Sequence, residues 1–173
     1  MDDFLHTDGF LGTRANLAAD VTLILMIVIA LLFTFGFFLA RRERFNIHKW
    51  VQTLGALLNL ALVLWLMVLP FRDFVVRDQG GPRLGIFYTI TAIHGIIGTI
   101  AIVFGLFVVL RGHKLMPKFL QFNNYKPFMR AAYALYIGNT LIGIAVYYVW
   151  FVVEPNTPVY GLLEFLQALL AIA

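Results

Sequence analysis

Apolar positions gather into four long runs, 21–40, 49–70, 84–110 and 131–153, separated by short polar stretches. An α-helix needs about 20 residues to cross a hydrocarbon core of roughly 30 Å, and each run meets that length. Pro70 ends the second run, and Gly80, Gly81 and Pro82 mark a turn in the connection that follows. A fifth run, 159–173, comes after Pro155 and Pro158. At 1.5 Å per residue it reaches only about 22 Å, so it is expected to lie on the membrane or dock on a partner, with Glu164 and Gln167 turned to the polar side. The stretches 1–19 and 111–130 mix charge with Phe4, Phe10, Phe119 and Tyr125 and read as interfacial. The pattern predicts an all-α membrane protein: one domain over 1–173, built as a four-helix transmembrane bundle with a short C-terminal interfacial helix.

Polar residues inside the runs carry the candidate chemistry. Within 84–110, Thr91, His94, Gly98, Ala101 and Gly105 recur at spacings of three and four and form one helical stripe. Small residues on such a stripe let a neighbouring backbone approach, so His94 is expected to face the bundle interior. Asn59 in the second run, and Asn139 and Thr140 in the fourth, fall at a similar depth, so Asn59, Thr91, His94, Asn139 and Thr140 could form one intramembrane polar cluster. His48, Gln52, Gly55 and Asn59 share a stripe on the second helix, as do Ala132, Tyr136, Asn139 and Gly143 on the fourth. Two readings compete: a functional site, the usual meaning of an ionisable residue in a membrane, or hydrogen bonds that merely hold helices together. No carboxylate falls in the four runs, so His94 is expected as a neutral imidazole bonded to Asn59 or to a polar group of the fourth helix.

Charge orients the chain. Nine of the 13 lysines and arginines fall in 41–49 and 111–130, which places these stretches in the cytoplasm and both termini outside, N-out and C-out. Trp50 and Tyr133 are expected at the inner boundary, and Phe87, Tyr88, Tyr147, Tyr148 and Trp150 near the outer one. Composition agrees with a multi-pass protein of the cell's inner (plasma) membrane: 61% of residues are hydrophobic and 13% charged, against about 45–50% and about 25% in soluble domains. The net charge of +4 is spread over short loops between spans, so lipid and not nucleic acid is the expected partner. Cysteine is absent, which removes disulfides, iron–sulfur clusters and thioether-linked haem. No nucleophile–base pair, paired carboxylates, phosphate loop or zinc motif is present, so neither catalytic nor metal-ligating residues are assigned. Haem b remains a cofactor that histidines could hold: His94 lies within a span, and His48 and His113 both lie at the inner boundary, where they could face each other.

Arg41-Arg42 with His48 after the first span, His94 in the third, Arg111-Gly112 after it, and Arg130 leading to Gly143 and Tyr147 in the fourth resemble a known pattern. It belongs to the YozB-like or CtaM-like group of small four-helix membrane proteins associated with haem–copper oxidase assembly, and the likeness covers about residues 20–150. Members carry further histidines near the end of the second span and before the fourth; here those places hold residues around Pro70 and Tyr125, leaving His48 and His94 of that set. The resemblance implies a non-catalytic subunit or assembly factor of an electron-transfer complex, respiratory or photosynthetic, whose partners are other membrane subunits. Two rivals stand beside it: a haem b or quinone protein using His48, His94 or His113, and a small transporter or proton conductor organised around His94.

Overall fold

A computed structural model describes residues 7–68, 86–120 and 124–153. Four helices in it are long and apolar enough to cross a membrane: α1 Leu17–Arg41, α2 Phe45–Met67, α3 Ile86–Gly112 and α4 Lys126–Val153. They form a four-sided bundle in which α1 packs on α2 and α4, and α3 packs on α4 and α2; the seam between α2 and α3 is the thinnest. The fifth run and the connection at 71–83 lie outside the described residues.

The helices extend beyond the apolar runs. α2 begins at Phe45 and α4 at Lys126, so the last five residues of the expected interfacial stretch 111–130 belong to a span. Long Lys and Arg side chains at a helix end can reach water while their backbone stays helical, which is why charge overstated these gaps. Pro127 sits in the first turn of α4, where a missing N–H costs nothing. Large apolar side chains of α1 at Ile24, Val28, Leu31, Phe35 and Phe38 point outward, the face a bilayer would cover.

Both odd-numbered helices end in the same way. Leu39 O accepts from Arg44 N (3.0 Å) and Ala40 O from Glu43 N (3.1 Å), closing α1 with Glu43 at φ 59°. Leu110 O accepts from Leu115 N (3.0 Å) and Arg111 O from Lys114 N (3.0 Å), with Lys114 at φ 61°. These are Schellman closures, in which the left-handed residue is usually glycine.

Along α2, His48, Gln52 and Gly55 turn toward α1 and not toward a central cluster. His48 Nδ1 bonds the Gly36 carbonyl at 2.7 Å, Gln52 Nε2 donates to the Phe33 carbonyl at 3.2 Å, and the Phe33 ring lies against Gly55. Side-chain donors to backbone carbonyls thus tie the tightest helix pair together. Between α1 and α4, Phe37 stacks on Tyr133 with centroids 5.0 Å apart, and Phe33 meets Tyr136 edge-on at 4.4 Å.

Two helix ends depart from α geometry. Val63–Met67 in α2 and Val149–Val153 in α4 are π-turns. Wider turns of this kind re-aim the side chains around them and are frequent at functional sites.

Candidate functional site

The bundle encloses a partly open cavity of about 460 Å³, lined by all four helices. Asn59, Thr91, His94, Asn139 and Thr140 all lie on its wall, with Tyr136 among them. The π-turns supply Val63, Leu66 and Met67 on one side and Trp150 and Phe151 on the other. Trp150, in the last turn of α4, is buried and donates Nε1–H to Thr91 Oγ1 at 2.8 Å. Tyr88 is buried as well, while Tyr148 faces outward.

His94 is seated by the glycines opposite it. Its Cε1 would lie 2.9 Å from a Cβ placed on Gly143, and Met26 Sδ would lie 2.7 Å from that point. Asn139 Nδ2 likewise crowds the place of a Cβ on Gly98, at 2.9 Å. Glycine at 98 and 143 therefore lets α3 and α4 close around these two polar side chains. The small stripe of α3 does not continue as tight packing, since a Cβ on Gly105 would meet nothing within 4 Å.

The His94 ring lies beside the backbone of Asn139. Its Nδ1 is buried without a hydrogen bond of sound geometry. Tyr136 Oη and Asn139 Oδ1 are also buried without a hydrogen bond of sound geometry. Thr140 is engaged, its hydroxyl donating to the Tyr136 carbonyl at 3.0 Å. Three unspent polar atoms thus border one cavity. Native interiors rarely leave such groups unpaired, because each forfeits about 1–3 kcal/mol of solvation without return.

His48 and His113 do not share this cavity or face each other. His48 is held against α1, whereas His113 Nε2 bonds Thr53 Oγ1 at 2.8 Å and its ring meets Trp50 edge-on with centroids 5.4 Å apart. A haem held between His48 and His113 therefore does not fit these contacts. Among the described residues, no group of three His, Asp or Glu side chains could hold a metal ion.

Sequence reasoning missed a carboxylate. Asp20 lies in the first turn of α1, wholly buried, one residue before the apolar run was read to start. Its Oδ1 accepts from Tyr147 Oη at 2.5 Å and its Oδ2 from Leu11 N at 2.8 Å. The Thr13 hydroxyl bonds Tyr147 Oη at 2.7 Å. Residues 7–16 fold back into a strap over this end of the bundle, closed by Gly9 N to Ala15 O (2.9 Å) and Leu17 N to Thr7 O (2.8 Å). Asn16 caps α1 by accepting from Ala19 N at 3.0 Å. The signal was Asn16 followed by an acidic residue in the first turn, a helix-start signature that moves the beginning of the helix ahead of Asp20.

Comparison with protein families, curated proteins and solved structures returned no match to the chain.

Proposed function

We propose that the chain is a non-catalytic membrane subunit or assembly factor of an electron-transfer complex, and that its bundle holds a small lipophilic ligand bearing at least one polar group. The observation that carries the ligand-holding part is the cavity of about 460 Å³ bordered by unpaired atoms of His94, Tyr136 and Asn139. A bundle that served only as a scaffold would gain by filling this space with Leu or Phe, since both the void and the unpaired groups cost stability. The electron-transfer setting rests on the resemblance of Arg41-Arg42, His48, His94, Arg111-Gly112 and Gly143 to the assembly-factor group. Orientation rests on charge: the end of the bundle that joins α1 to α2 and α3 to α4 gathers nine of the 13 basic residues, which favours a cytoplasmic placement in the plasma membrane.

Native mass spectrometry of the chain extracted in lipid particles tests both parts. The expected spectrum shows one non-lipid small molecule per chain, absent from a Gly98→Leu variant that fills the cavity, together with oxidase-type membrane subunits. A chain that carries lipid alone at every extraction condition would defeat the ligand-holding part, and a chain with no membrane partner would defeat the subunit part.

A further inference from the structure

The cavity is open on one side. Of the residues that line it, only Val68, Ile96 and Thr99 are exposed, the first directly after α2 and the other two on α3, whereas every lining residue from α1 and α4 is buried or half-buried. Ile96 is 61% exposed and Val68 46%. The mouth therefore lies in the α2–α3 seam. Nearer the basic end the same two helices are tied by Thr53 and His113 at 2.8 Å, so the seam is fastened there and open farther along, beside Thr99 in the middle of α3. At that depth a bilayer presents hydrocarbon and not water. Inside, among the described residues, no lysine, arginine, aspartate or glutamate lines the wall. The amides of Asn59 and Asn139, the hydroxyls of Tyr136 and Thr140 and the ring of His94 supply both donors and acceptors. An ionised head would find no counter-charge in this space, while an uncharged head bearing oxygens would find partners. Tyr136, Trp150 and Phe151 add aromatic surface suited to a flat ring.

We propose that the occupant is a tailed quinone, its ring in the cavity and its apolar tail leaving between α2 and α3 into the bilayer. This inference rests on the ligand-holding reading and adds the ligand's class and its route of entry. The quinone oxygens are uncharged and accept from amide or hydroxyl donors; in the reduced form the ring hydroxyls donate to the amide oxygens of the same side chains, so the wall suits both oxidation states. About 460 Å³ is the size of a pocket for a compact head group, and a longer chain has to continue through the mouth. There the tail covers the exposed edge formed by Val68, Ile96 and Thr99, and a ring without a tail leaves that edge bare.

The test reads Trp150, which lines the cavity. The chain has three tryptophans, so Trp50→Phe with Trp65→Phe leaves Trp150 as the sole emitter, and a quinone ring quenches indole emission on contact. The full-length chain is placed in nanodiscs and titrated with decylubiquinone or with the same ring lacking the tail, 2,3-dimethoxy-5-methyl-1,4-benzoquinone. Tryptophan octyl ester in empty nanodiscs gives the baseline for collisions within the lipid. The expected result is quenching that saturates at one decylubiquinone per chain, with the tail-less ring weaker by about tenfold or more. An excess of oleoyl lysophosphatidylglycerol, which has a tail and a charged head, should not displace the quinone. Thr99→Phe, which narrows the mouth, should weaken the tailed quinone by about fivefold or more and leave the tail-less ring unchanged. Equal saturable quenching by the two quinones, displacement by the lysolipid, or indifference to Thr99→Phe would overturn the proposal while leaving a ligand-holding cavity in place. Quenching that only follows the octyl ester baseline would overturn it as well, and the ligand-holding reading would then stand or fall on the mass spectrum alone. The comparison of the two quinones decides the matter even if Thr99→Phe does not fold.

Discussion

At the scale of single residues, Gly143 matters most to the site, because the ring of His94 and the sulfur of Met26 converge where a Cβ would stand. Gly143→Ala is expected to lower stability by about 1–3 kcal/mol through overpacking, read from thermal unfolding in detergent. Unbranched Met26 can move aside more cheaply than the rigid imidazole ring, so Met26→Ala in the same chain should recover part of that loss. Glu43 and Lys114 give the opposite prediction. Each occupies a left-handed position that costs a residue with a Cβ about 1–2 kcal/mol, while glycine forfeits part of the gain through its freer unfolded chain. Glu43→Gly and Lys114→Gly should each raise stability by about 0.5–1 kcal/mol, additively because they close different turns. The polar residues of the cavity could be read from the sequence, since Asn59, His94 and Asn139 break otherwise apolar runs. The partners of His48 and Gln52 could not, because a stripe shows which residues share a face and not which neighbour that face meets.

Among elements, the strap over residues 7–16 is the one the hydropathy pattern missed. The mix of charge with Phe4 and Phe10 placed this stretch at the membrane interface without assigning it internal partners, yet Thr13 bonds Tyr147 and the backbone of Leu11 bonds Asp20. Short polar segments carry no periodicity, and their structure is set by long-range partners that lie 134 positions away in the case of Tyr147. Tyr147→Phe removes the hydroxyl that joins the strap to α1. It should cost about 1–3 kcal/mol, because Asp20 Oδ1 then stays buried without that donor. Hydrogen exchange checks this: the amides of Gly9 and Leu17 should lose protection in the variant while those in the middle of α1 keep theirs.

For the whole molecule, four spans were legible because length and hydropathy decide them, and the thinness of the α2–α3 seam was not, because it depends on side-chain fit. Topology has a clean test in a chain without native cysteine. Single cysteines at Asp8, Asn46 and Phe119 should divide in intact cells, an impermeant thiol reagent labelling the first and sparing the other two; the reverse result would invert the bundle. The two π-turns bear on how this molecule could change over time. Each has one residue more than the α-turn it replaces, which amounts to about 100° of helical phase. Substitution leaves that surplus in place, but loss of a single in-frame codon within Val149–Val153 would remove it. Trp150 would then swing off Thr91 and the cavity wall would be rebuilt from different side chains. Length, more than identity, is therefore the property that variation in these two stretches must preserve.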